Sequence, residues 1–131
     1  MNCYASTYIS GLNKAVENWL RQDHKTCKIL FNLDGLIVYE ALEPVFANYF
    51  NNTYLVLSFT KSSTIDFNKA IKTFLEKTKV NFNSNQFSQF KNKKFKILTV
   101  DKNVPTSVDY SLLKPLENEI IKTTKMILGM R

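Results

Sequence analysis

Between Cys27 and Pro44 the chain changes its pattern halfway and then stops at a proline, and no other stretch restricts the fold as sharply. Leu30 and Leu33 lie three apart, as on one side of a helix. Gly35 can end such a turn by taking positive φ, and Pro44 drives Glu43 toward an extended backbone. The spacing predicts a short helix, a break, and an extended apolar arm through Leu36, Ile37, Val38, Tyr39 and Leu42. Such an arm gains order against a groove, either on a partner or as an edge strand of its own domain.

The 131 residues, 44% of them hydrophobic, can bury one core and not two. The expected organisation is an N-terminal helix and docking arm over 1–44 and an α/β domain over 45–131. Cys3 and Cys27 are too far apart in sequence and too few for a disulfide framework or a metal cluster. The apolar runs Tyr54 to Phe59 and Phe95 to Val100 fall far short of the ~20 residues of a membrane helix. Met1 to Ser6 has neither the basic flank nor the apolar stretch of a signal peptide, so a reduced cytoplasmic location without membrane contact is expected.

Leu12, Ala15, Val16, Trp19 and Leu20 recur at helical spacing, which predicts a helix from about Ser10, its candidate N-cap, to Gln22. Thr53 to Phe59 is β-branched and aromatic enough for a strand. Phe67, Ala70, Ile71, Phe74 and Leu75 repeat the helical spacing behind Thr64 or Asp66 as cap. A short strand at Val80 to Phe82 and a capped turn carrying Phe87 and Phe90 come next. Phe95 to Val100 reads as a second strand, and Asp101 to Ser107 as a loop. A closing helix spans Ser111 to Leu128 and ends at Gly129, with Pro115 requiring either a start near Lys114 or a separate first turn. Strand followed by helix is the order of an α/β unit, so the expectation is a single small α/β domain. Its short, mostly parallel sheet would be flanked by helices and preceded by an N-terminal helical extension.

Catalytic chemistry finds little purchase. His24 is the one histidine and lies in a polar turn, and Cys27 has no partner histidine to activate it. Gly11, Gly35 and Gly129 are too scattered for a phosphate loop, and the glutamates are dispersed, Glu117 and Glu119 pointing apart on their helix. No catalytic residue, metal or cofactor is expected. The net charge of +7 comes mainly from scattered lysines, with arginine only at Arg21 and Arg131. Lys91, Lys93, Lys94 and Lys96, interleaved with Phe90 and Phe95, read either as a nucleic-acid contact or as charges guarding an edge strand. Phe67, Phe74, Phe82, Phe87, Phe90 and Phe95 read as core.

The run from Gly35 through Leu36, Tyr39 and Leu42 to Pro44 resembles the opening of the psi subunit family of bacterial DNA polymerase III, with Tyr39 where that family carries tryptophan. Tyr54 to Phe59, the helix with Ala70, Ile71, Phe74 and Leu75, the element Phe82 to Phe90, the strand Phe95 to Val100 and the ending Leu116 to Lys122 are similar to the family's later elements in order and spacing. The resemblance covers about Lys28 to Leu128; the preceding helix with Trp19 has no counterpart. It implies an accessory subunit within the DNA-directed DNA polymerase (nucleotidyltransferase) complex, without a reaction of its own. That subunit would bridge the chi subunit to the clamp-loader tau/gamma subunit during DNA replication, with an indirect link to single-strand-binding protein and DNA. Carried over by position, the clamp-loader contact would comprise Gly35, Leu36, Tyr39, Leu42 and Pro44, assisted by Leu30 and Leu33. The alternatives are a basic nucleic-acid-binding module and a small α/β adaptor whose first helix pairs with another protein.

Overall fold

The structure is a computed structural model that describes residues 1–59, 67–81, 89–101, 104–105 and 110–129. The chain divides into two units, Met1–Leu57 with Val100–Thr106, and Ser58–Thr99 with Ser107–Arg131.

The first unit is built on a four-stranded antiparallel sheet. Its strands are β1 (Asn2–Thr7), β2 (Lys28–Leu33), β3 (Leu36–Ala41) and β4 (Asn52–Leu55), in the order β2-β3-β1-β4. Helix α1 (Asn13–Asp23) connects β1 to β2. This corrects the expected mostly parallel sheet, and it also corrects the expected N-terminal helical extension: the chain starts with a central strand. In β1 the side chains alternate. Tyr4, with Tyr8 beyond the strand end, joins Ile37, Tyr39, Ala41 and Val45 under Val16 and Leu20 of α1. Ala5 belongs to a second cluster with Leu33, Leu36 and Val38. Small residues such as Cys3, Ala5 and Ser6 carry little strand propensity, which is why β1 escapes a reading based on apolar runs.

The short helix expected around Leu30 and Leu33 is strand β2. A bulge between Ile29 and Phe31 explains the misleading spacing: Ile29 opposes Tyr39, the register shifts, and Phe31 then opposes Val38. Apolar side chains therefore do not alternate strictly, and two leucines fall three apart by accident. Leu33 opposes Leu36, so Asp34 and Gly35 form a two-residue hairpin turn, with Gly35 at φ +90. Gly35 turns a strand back on itself instead of ending a helix.

Helix α1 is shifted from the expected span. Leu12, whose side chain can accept no hydrogen bond, occupies the cap position, and the expected cap Ser10 lies two residues earlier and donates to Asp34 instead. The helix buries Val16 and Leu20 completely while Trp19 stays 40% exposed. β4 is shorter than the strand expected through Phe59, although Asn51 N–H donating to Thr7 O and Val56 N–H donating to Cys3 O extend its pairing with β1.

The second unit holds α2 (Phe67–Asn81), β5 (Lys94–Phe95), α3 (Tyr110–Thr124) and β8 (Ile127–Leu128), while β6 (Val100–Asp101) and β7 (Val104–Pro105) form an antiparallel pair within the first unit's residues. Among the described residues, parallel pairing is confined to β5 and β8. The strand expected over Phe95 to Val100 is thus split, Phe95 pairing in β5 and Val100 in β6 with Ile97 to Thr99 in neither, and α2 runs through the strand expected at Val80; Phe82 and Phe87 lie outside the described residues. α3 passes through Pro115 and stops at Thr124, whose hydroxyl donates to Ile120 O while accepting from Met126 N–H. Lys125 then takes φ +60 and turns the chain into β8. Phe95, Leu116, Ile120 and Met126 are buried in this unit.

Leu20 lies at the centre of the first unit's core, so Leu20→Ala removes buried volume that neighbouring strands cannot refill. The expected loss is about 2–5 kcal/mol, read from the urea midpoint at unchanged slope.

Candidate functional site

The residues of the anticipated docking arm separate into two groups. Leu33, Leu36 and Tyr39 are buried, Tyr39 with 0% exposure, in strands paired within this sheet. Leu30 and Pro44 are half-buried, Gly35 forms the turn, and Leu42 is 73% exposed just beyond β3. β3 is an inner strand between β2 and β1. The interior therefore claims the aromatic position, and the surface keeps Leu42 with part of Pro44.

Tyr39 is held by a closed circuit of hydrogen bonds. Val45 N–H donates to Tyr39 Oη at 3.3 Å, and Thr53 Oγ1 donates to Val45 O at 2.9 Å. Thr53 has one hydroxyl proton and has given it away, so across the 2.7 Å contact Ser6 Oγ donates to Thr53 Oγ1. Ser6 must then accept from Tyr39 across 2.9 Å. The order Val45 N–H, Tyr39, Ser6, Thr53, Val45 O is fixed in one direction, and it links β1, β3, β4 and the loop between β3 and β4. Around it, Tyr39 stacks on Phe50 with ring centres 6.3 Å apart, Phe50 meets Tyr49 edge-on at 4.8 Å, and Tyr49 meets the half-exposed Trp19 at 5.3 Å. Tyr49 Oη is buried without a hydrogen-bond partner among the described residues, and burial pushes its phenol up, with Asp23 adding to the effect.

A second clasp ties the hairpin turn to the entrance of α1. Asp34 accepts from Ser10 Oγ at 2.5 Å and from Gly11 N–H at 2.7 Å. The Ser10 hydroxyl, then the Gly11 amide, hold the Asp34 carboxyl below its usual range. Tyr8 shares its single proton between Asn32 Oδ1 and Leu33 O, while Asn32 Nδ2 donates to Asn13 O at 2.8 Å. Glu17, bonded to Arg21 at 2.7 Å and reached by Asn32, is likewise lowered, chiefly by Arg21.

Of the apolar side chains these clasps leave outside, among them Ile9 and Leu12, the most exposed are Phe46 and Leu42. Phe46 is 82% exposed between the buried Val45 and the half-buried Ala47, four residues beyond Leu42. Beside it lies a shallow hollow of about 130 Å³ lined by Phe46, Ala47, Phe50, Asn51, Asn52 and Thr53. Sequence reasoning missed Phe46, because a lone aromatic after Pro44 belongs to no periodic pattern.

Lys91, Lys93, Lys94 and Lys96 are all exposed around a turn where Asn92 takes φ +67. Their aromatic neighbours are drawn inward, Phe95 buried and Phe90 half-buried. His24 is half-buried at the end of α1, where its backbone N–H donates to Leu20 O. Burial pushes the Cys3 thiol up, with Glu40 adding to it, and burial does the same to Cys27. Among the described residues no group of three His, Cys, Asp or Glu is placed to hold a metal, and no helix is long and apolar enough to cross a membrane. In comparison with known proteins, the chain matches no family model, no curated protein and no solved structure at a significant level.

Two outcomes follow from the clasps. Tyr39→Phe strands Val45 N–H and removes the proton that Ser6 accepts, so it should cost about 1–3 kcal/mol, and the double variant with Ser6→Ala should fall short of the sum of the single losses. Both are read from urea unfolding. A carboxyl lowered in the folded state contributes stability above its unfolded value and loses it as pH falls through the folded one. Stability should therefore fall with pH below about 4, and Asp34→Asn should flatten that fall while lowering stability at neutral pH.

Proposed function

We propose that this chain is an adaptor without a reaction of its own, which docks a polypeptide partner on the surface from Leu42 to Phe46. The observation that carries the reading is the exposure of Phe46 and Leu42 on a loop pinned at Val45 by two hydrogen bonds. A large aromatic side chain held in water by a fixed backbone is an anchor in waiting, and alanine at such a position in an interface commonly costs ~2 kcal/mol or more. The half-exposed Trp19 on Tyr49 supplies further aromatic surface on the same unit.

The narrower reading is a psi-like accessory subunit of bacterial DNA polymerase III, working in the cytoplasm between chi and the tau/gamma clamp-loader subunit. It is supported by the layout of Gly35, Leu36, Tyr39, Leu42 and Pro44. In this reading Leu42, Pro44 and Phe46 touch the partner, while Leu33, Leu36 and Tyr39 hold the strand that presents them, with Leu30 beside them.

Pull-down of the full chain with purified chi and tau/gamma tests the narrower reading. Retention of both partners, lost with Phe46→Ser and kept with Lys94→Ala, is the expected result. Retention of neither removes the replication assignment. A DNA gel shift that weakens steeply with salt and disappears with the Lys91, Lys93, Lys94 and Lys96 alanine variants would favour the nucleic-acid reading instead.

A further inference from the structure

Between Lys28 and Lys61 the charged residues are Asp34, Glu40 and Glu43, so a stretch without a single cation lies inside a chain of net charge +7. Asp34 is consumed by Ser10 and Gly11. Glu40 and Glu43 bracket Leu42 in sequence, Glu43 is exposed and Glu40 is half-buried, and neither forms an ion pair with a described residue. Lys28 opposes Glu40 across the β2–β3 pairing without closing an ion pair. Glu40 alternates onto the sheet face of Leu36 and Val38, so the negative charge next to the apolar surface is that of the exposed Glu43, three positions before Phe46.

The hollow beside Phe46 adds a steric limit. At about 130 Å³ it is a shallow, open depression of the size that a single large side chain can seat in. Phe46, Ala47 and Phe50 line it with apolar atoms, and Asn51, Asn52 and Thr53 bring polar groups suited to the backbone of an occupant.

We infer that the occupant is a basic polypeptide segment that seats one large apolar side chain in this hollow while its cations meet Glu43. This rests on the adaptor reading and names the chemistry of its partner. A second copy docked through the same surface is the poorer occupant, since it would bring the same cation-free segment, with its Glu43, as the partner and supply no positive charge.

The test uses the full chain, labelled for amide NMR, and three synthetic peptides of equal length: lysines flanking a phenylalanine, lysines flanking an alanine, and glutamates flanking a phenylalanine. The lysine–phenylalanine peptide should shift amides between residues 42 and 53, with affinity falling roughly tenfold between low salt and about 0.5 M. The other two should bind at least several-fold more weakly. Glu43→Lys should reverse the preference toward the glutamate peptide, and Phe46→Ser should abolish the shifts for every peptide. Both positions are exposed, so an unchanged spectrum elsewhere verifies the fold of each variant.

Equal binding of both phenylalanine peptides at residues 42–53 would overturn the basic occupant and leave the adaptor reading standing. Equal binding of the alanine peptide would overturn the seating of an apolar side chain. No shift in that segment with any peptide, or shifts indifferent to Phe46→Ser, would overturn this inference together with the docking surface it rests on.

Discussion

The circuit through Tyr39, Ser6, Thr53 and Val45 is the constraint on which the first unit depends. Ser6 is fully buried, and so is Tyr39; a buried hydroxyl without a partner costs about 1–3 kcal/mol. All the members are satisfied only when β1, β3 and β4 stand in the observed register, with Ser6 opposite Ile37 on one side and Thr53 on the other. A slip by one residue would turn Ser6 to the other face and leave the Tyr39 hydroxyl among aliphatic groups. The polar circuit thus selects among pairings that the hydrophobic pattern alone would tolerate.

The same circuit bears on chemistry. Serine and tyrosine on one sheet face could suggest a nucleophile, but every proton in the circuit is committed. The Ser6 proton goes to Thr53, and the lone pair of Ser6 takes the proton of Tyr39. A hydroxyl in that position can neither be deprotonated by a neighbour nor approached by a substrate. The thiols lie on the other side of the argument: burial raises both, which favours the protonated form over the thiolate a nucleophile needs. The arrangement is suited to holding a loop in place.

Helix α1 was legible because Leu12, Ala15, Val16, Trp19 and Leu20 recur at helical spacing between polar residues, a signal contained in a local window. The hairpin was not. Asp34-Gly35 between apolar runs is itself a turn signal, but the bulge at Leu30 broke the alternation on one side, and a near-continuous apolar run on the other matched no single-face pattern. β3 is buried on both faces, which is why Leu36 to Tyr39 looked like an arm in need of a partner: the partner is supplied by β1 and β2. β1 was hidden by small side chains whose value comes from the pairing, Ser6 reaching Tyr39 and Thr53 at separations of 33 and 47 residues. Contacts at such separations leave no trace in a local window. Leu42 could be named from the sequence and Phe46 could not, since its exposure is a consequence of Val45 being drawn inward by the circuit.

Magnitudes limit what the exposed surface can do alone. Complete burial of Phe46 and Leu42 would contribute about 1.5–3 kcal/mol each, whereas association itself costs about 4–15 kcal/mol in lost freedom. Two apolar anchors therefore fall at or below the threshold for a lasting complex, even when their loop is already ordered and little further entropy is lost there. For the partner proposed above, the missing part would come from a side chain filling the hollow and from opposite charge at Glu43, whose effect on encounter rate and orientation exceeds its effect on affinity. A surface of this composition would bind selectively and release readily, and stronger attachment would require a second contact, for which the Trp19–Tyr49 pair is the next aromatic surface on the unit. Linking two such weak contacts raises the combined affinity steeply only if one partner can span both, so the length and charge of the partner's segment, more than the area of either patch, would decide whether it is held.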